Sequence, residues 1–137
     1  MSLIKGIHHV ALKCCGKEEF EKTKQFYGEV LGLPVARSWN SGIMYDTGAG
    51  LMEIFETEET PLETGTIRHF AFAVEDTDAC VAQVKRIVDA GGEYVRLTTQ
   101  GIKEAENLKN INAALRQDGY MVPLVADVHF NPKVADV

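Results

Sequence analysis

The chain has 137 residues, 45% of them apolar and 25% charged, the make-up of a soluble globular domain with a core of ordinary size. Its net charge of -6 argues against nucleic acid or an anionic membrane surface as partner, because both select basic patches. No apolar run has the length of a membrane-spanning helix, and no signal peptide is expected before Ile4.

The cysteines are three, Cys14, Cys15 and Cys80, and two of them are adjacent. That pattern suits neither a disulfide framework nor a CxxC metal site, so buried or partly buried thiols in a reducing cytoplasm are expected.

Residues 4–14 alternate as a strand does, with Ile7, His9 and Ala11 on one face and His8, Val10 and Leu12 on the other. A helix is expected from about Glu18 to Leu31, with Phe20, Tyr27, Val30 and Leu31 as its apolar stripe and "LGLP" as its stop. Three short strands fit next, Val35–Trp39, Gly42–Asp46 and Leu51–Glu56, separated by "NSG" and "TGAG". The first block therefore reads β-α-β-β-β. The segment "TIRHFAFAV" then begins a second copy. Phe70, Phe72 and Val74 would share one strand face and pack on a helix, with His69 on the opposite face.

That helix follows, with Cys80, Val84, Ile87 and Val88 as its stripe and "AGG" as its end. After the strand "EYVRLTT" the repeat breaks. A third helix is marked by Ile102, Ala105, Leu108, Ile111 and Leu115, with Asp118-Gly119 as its stop. The apolar run "VPLVADVHF" then suits a parallel strand buried on both faces. From residue 77 the order α-β-α-β implies crossover connections and a parallel sheet. The expected fold class is α+β, a βαβββ module followed by an incomplete second module and a βαβ-type tail. The expected division is residues 1–76 and 77–137.

The motifs "IHHVAL", "FYGEVLGLP", "GLMEIFE" and "RHFAFAVED" resemble, in their order and spacing, the vicinal oxygen chelate superfamily. That superfamily includes glyoxalase I, methylmalonyl-CoA epimerase, extradiol dioxygenases and bleomycin-resistance proteins. The resemblance implies paired βαβββ modules whose sheets cup a divalent metal (Zn, Ni, Mn or Fe). Carried over by position, the implied ligands are His9, Glu53 and His69, and this sequence lacks the "EIEF"-like string that supplies a fourth. The implied activity is that of a lyase or isomerase of lactoylglutathione lyase type. In that chemistry the ion chelates two vicinal oxygens of a small substrate and stabilises an enediolate, while a carboxylate ligand, here Glu53, moves the proton. A homodimer is also implied, and exposed sheet edges would favour one.

The series "VRLTTQG", "EAENL" and "PLVADVHFNP" resembles a barrel segment of hydroxymethylbutenyl diphosphate synthase, over Thr77 to Val137. In that family Arg96, Asp127 and His129 would sit at the C-terminal ends of strands and bind a diphosphate. A full barrel needs about 250 residues, and the family's cluster-binding cysteines lie in a domain absent from this sequence. The tail is accordingly not expected to perform the synthase reaction. The chain reads as a hybrid.

Each candidate has an ordinary alternative. His9 and His69 lie on faces opposite the bulky apolar residues, which suits a ligand and equally suits a solvated strand histidine. Glu53 in "LMEIF" is a charge within an apolar strand and needs a cation, strong donors or solvent. His8 has the opposite parity and reads as structural. Arg96, Asp127 and His129 read as surface or strand-end residues, and "ETEETPLE" as a solvated loop. Two further functions remain open: a drug-binding module without chemistry, and a fused chain without activity.

Overall fold

Alternating burial along His9–Cys15 marks the first strand, β1: Val10, Leu12 and Cys14 turn inward while His9 and Ala11 stay exposed. The computed structural model describes residues 6–58, 70–128 and 132–136. The chain divides into two units, Met1–Phe70 and Ala71–Val137.

In the first unit β1 leads into α1 (Gly16–Gln25), and the same rod continues as a π-helical turn over Phe26–Val30. The single expected helix is thus two helical geometries. The wider turn is closed by Leu31 N–H donating to the Phe26 carbonyl at 2.9 Å. Strands β2 (Val35–Trp39), β3 (Gly42–Asp46) and β4 (Leu51–Thr57) follow. They form one sheet with the order β1-β4-β3-β2, in which β1 and β4 are parallel and the other pairs antiparallel. The chain order is βαβββ, as the sequence implies.

One sheet face carries Cys14, Ile43, Tyr45, Met52 and Ile54, which pack with Phe20 of α1 into the unit's core. Leu12, Tyr27 and Leu33 close its margin. Burying side chains of this size contributes roughly 1.5–3 kcal/mol each. The opposite face carries His9, Ala11, Leu51, Glu53, Phe55 and Met44, and is only partly shielded. At the β2 edge the guanidinium of Arg37 lies 5.9 Å from the Trp39 ring centroid, and that ring covers Gly42, where a Cβ would collide with it.

A second close approach fixes α1 on the sheet. The Tyr45 hydroxyl donates to the Lys24 carbonyl at 3.1 Å, near the handover from α to π geometry. Gly28 makes the room: a Cβ there would lie 2.9 Å from that hydroxyl oxygen.

The second unit contains α2 (Thr77–Asp89), β5 (Val95–Thr99), α3 (Ile102–Gln117) and β6 (Leu124–Val128), then a 3-10 turn over Pro132–Asp136. Strands β5 and β6 pair in parallel, as the α-β-α-β order predicts. Asp76 caps α2, its carboxylate accepting from Ala79 N–H at 2.8 Å. Both helices end in the same way. Gly91 and Gly119 take left-handed φ values of 97° and 85°, and Gly92 and Tyr120 N–H donate back to Ile87 and Leu115 carbonyls at 2.8 and 2.9 Å. Cys80, Val81, Val84, Ile111, Leu115 and Val122 make the core.

Two expectations fail. Of the strand read in "TIRHFAFAV", residues 66–69 lie outside the described residues and residues 70–74 are irregular, with Phe70, Phe72 and Val74 37%, 40% and 46% exposed. A strand needs a ladder partner for its N–H and C=O groups, and no later strand among the described residues has the alternation of the first module. Strand β6, read as buried on both faces, is open on one, the face on which Val125 is 43% exposed. The helices pack on the side of Val95, Leu97 and Leu124. Among the described residues of this unit, one helical layer covers one side of the two-stranded sheet.

Two outcomes test this packing. Gly28→Ala is expected to cost about 1–3 kcal/mol, and less in a Tyr45→Phe background, a coupling read by urea unfolding followed through the fluorescence of Trp39, the single tryptophan. Gly119→Ala is expected to cost about 1 kcal/mol or more, because alanine resists a φ of 85°; this is read by far-ultraviolet circular dichroism against denaturant.

Candidate functional site

The open face of the first sheet is positioned by backbone register. The parallel pairing of β1 with β4 sets Ala11 opposite Glu53 and His9 opposite Leu51, so His9 and Glu53 are diagonal neighbours on one face. On that face their side chains converge: His9 Nε2 and Glu53 Oε2 stand 3.8 Å apart. Both are accessible, His9 at 44% and Glu53 at 21% of the side chain.

The gap is informative. A charge-assisted N–H···O bond closes to about 2.7–2.9 Å, so this pair is not hydrogen-bonded. Two donors each about 2.0–2.2 Å from one ion in tetrahedral geometry lie roughly 3.4 Å apart. The observed 3.8 Å is near that separation, and an imidazole with a carboxylate is a donor set that could hold Zn, Mn, Fe or Ni.

His8 adjoins the pair. Its Nδ1 lies 3.0 Å from Nδ1 of His9, with the rings edge to face at 89° and their centroids 5.3 Å apart. The path of the chain there depends on Gly50. Leu51 N–H donates to the His8 carbonyl at 2.9 Å, and a Cβ on residue 50 would sit 2.9 Å from the Ile7 carbonyl oxygen. Sequence reasoning took Gly50 as turn chemistry only; its role is to let the β4 start lie against the backbone that presents the two histidines. The turn before it is tied by Thr47, whose N–H and hydroxyl both donate to the Gly50 carbonyl, and by Gly48 N–H donating to Asp46.

His69, the third residue of the implied ligand set, lies outside the described residues, as does most of "ETEETPLE". Among the described residues no group of three or more His, Cys, Asp or Glu gathers around one point. Cys14, on the opposite face of β1, is held as a neutral thiol by burial, which raises its pKa, so it does not extend the site. Two surface hollows flank α1, one bordered by Gly28 and Tyr45 and the other by Cys14 and Tyr27; neither includes His9 or Glu53.

In the second unit Arg96 and Asp127 meet at 2.6 Å across the open face of the β5–β6 pair. The register explains the contact, with Arg96 opposite Val125 and Thr98 opposite Asp127. The guanidinium occupies the carboxylate. His129 lies outside the described residues. A separate network ties α2 to the end of α3: Lys85 meets Asp118 and lies 5.6 Å from the Tyr120 ring centroid, while the Tyr120 hydroxyl donates to Asp89 at 3.0 Å.

No helix among the described residues is long and apolar enough to cross a membrane.

Comparison with known proteins separates the two parts. One solved structure, an integron cassette protein from the mobile metagenome of the Halifax Harbour sewage outfall, is 26% identical, with a TM-score of 0.50 over 64% of this chain and 72% of that one. The glyoxalase family protein from Enterococcus faecalis is also similar, at 21% identity and a TM-score of 0.40 over 81% of this chain and 75% of that one.

Sequence relatives fall elsewhere. The 4-hydroxy-3-methylbut-2-en-1-yl diphosphate synthase (flavodoxin) of Bacteroides fragilis is 86% identical over 63 residues, which is 46% of this chain and 10% of that protein. The enzyme of the same name from Chlorobaculum tepidum is 55% identical over 60 residues, 44% of this chain and 8% of that protein. The chain thus spans about a tenth of the length of the curated relatives it matches. The two parts have separate kinships, a βαβββ unit followed by a segment that matches a barrel family. The model of the GcpE TIM-barrel domain matches residues 69–137, and through that half of its length the chain belongs to the GcpE TIM-barrel family.

Proposed function

We propose that the first unit is a metal-binding module of glyoxalase type, acting as a lyase or isomerase on a small oxygenated substrate. The observation that carries this reading is the 3.8 Å approach of His9 Nε2 to Glu53 Oε2 on an open sheet face. His9 and Glu53 hold the ion, and His69 is the third ligand by its place in the motif "RHFAFAVED". When bound, a divalent ion supplies Lewis acidity to a substrate oxygen.

The chain's own residues do the rest. Glu53 is the candidate base, since its carboxylate has two oxygens and His9 faces only one of them. Phe55, Leu51 and Met44 lie on the same face as an apolar border to the carboxylate. The reading takes the chain as a homodimer, since exposed sheet edges favour pairing with a second copy. A cytoplasmic location suits the free thiols.

A second reading has its own support. Close identity to one tenth of a synthase, joined to a different module, is what a fused chain without evolved activity would carry.

One experiment separates these readings. After extensive dialysis, elemental analysis of the full chain is expected to find about one divalent ion per chain, and Glu53→Gln or His9→Ala to weaken binding of added Zn by more than the roughly 100-fold seen for outer-shell partners. Metal-free protein that still binds small ligands would move the assignment to a binding module. Metal-free protein that also lacks a cooperative melting transition would leave the fused-chain reading.

A further inference from the structure

The geometry points to His8 as the positioning residue of His9. It accepts the proton of His9 Nδ1 and so keeps the Nε2 lone pair of His9 bare toward Glu53. This rests on the reading of His9 as a ligand and gives His8, whose strand parity makes it look structural, a specific task at that site.

The argument starts from the two ring nitrogens. At 3.0 Å, Nδ1 of His8 and Nδ1 of His9 are at hydrogen-bond distance, and between neutral imidazoles one of them must carry the hydrogen and the other the lone pair. Two arrangements are possible. If His8 donates, His9 is left with its proton on Nε2, pointing at the Glu53 carboxylate. An N–H facing a carboxylate closes to about 2.7–2.9 Å, and the observed separation is 3.8 Å. If His9 donates, its Nε2 presents a lone pair to Glu53, and two lone-pair donors stand apart with room for a cation between them. The spacing matches the second arrangement.

The ring centroids stand 5.3 Å apart, the separation expected when each Nδ1 points at the other. The surroundings hold it there. His8 cannot slide along the chain, because its carbonyl accepts from Leu51 N–H at 2.9 Å and the bare Cα of Gly50 lies against the Ile7 carbonyl. A ligating histidine almost always donates its other N–H to a neighbouring acceptor, which sets the tautomer and raises ligand basicity. Among the described residues that acceptor is here the adjacent residue in sequence.

The test uses the full chain, with Zn as the probe, at a pH where both imidazoles are neutral. Histidine nitrogen-15 spectra of the metal-free protein are expected to show His9 protonated at Nδ1, and His8→Ala to shift that proton toward Nε2. Calorimetric titration with Zn is expected to show about 10–100-fold weaker binding for His8→Ala. His8→Asn, whose side-chain oxygen takes the place of the Nδ1 acceptor, is expected to restore most of it. A wild-type spectrum with the His9 proton on Nε2 would overturn the inference. So would unchanged Zn affinity in His8→Ala, or a loss that His8→Asn does not recover. Wild-type protein with His9 protonated at Nδ1 but no Zn affinity would leave the tautomer assignment standing and remove the metal reading instead.

Discussion

The parallel pairing of β1 with β4 is the constraint from which the rest of the first unit follows. It brings together two strands that are far apart in the chain, and it sets Ala11 against Glu53. Strand side chains alternate, so a slip of one residue would turn Glu53 toward α1, where Met52 and Ile54 now pack, and would expose those two to water. Core formation and site formation are therefore one event. The apolar residues choose the register, and the register delivers the carboxylate to His9.

Small residues make this pairing possible at its two tightest points. Gly50 lets the start of β4 lie against the Ile7 and His8 carbonyls, and Gly28 lets the helical rod settle on the Tyr45 hydroxyl. Neither has a positive φ of the kind that demands glycine, so what they contribute is space rather than backbone freedom. The first acts directly on the histidine pair. The second acts on the orientation of α1, whose Phe20 closes the core beneath the sheet.

The second unit follows the same logic with a different outcome. Its helices are capped and stopped by local chemistry, the Asp76 carboxylate at one start and glycines after both ends, and their apolar stripes pack on one side of a two-stranded parallel sheet. In a whole barrel such strands have neighbours on both edges and a filled interior. Here the interior-type face shows Arg96 and Asp127 neutralising each other. Relatives that are 86% identical over 63 residues use this segment as a tenth of a longer protein. The likeness is therefore evidence of descent.

What could be read from the sequence was whatever depends on near neighbours. The alternation of His9 to Cys14, the stripe Cys80–Val84–Val88, the stops at "AGG" and "DG", and the order βαβββ then αβαβ all express local periodicity and turn chemistry, and the structure keeps them. The family motifs likewise named His9 and Glu53. Tertiary structure decided what depends on partners brought from elsewhere in the chain. The alternating "FAFAV" did not become a strand over residues 70–74, because alternation specifies a face but cannot supply the ladder that satisfies the backbone. The continuous apolar run of β6 did not become a doubly buried strand, because burial needs a second layer. The 3.8 Å spacing of His9 and Glu53 came from a register between strands some forty residues apart, a distance no local pattern encodes.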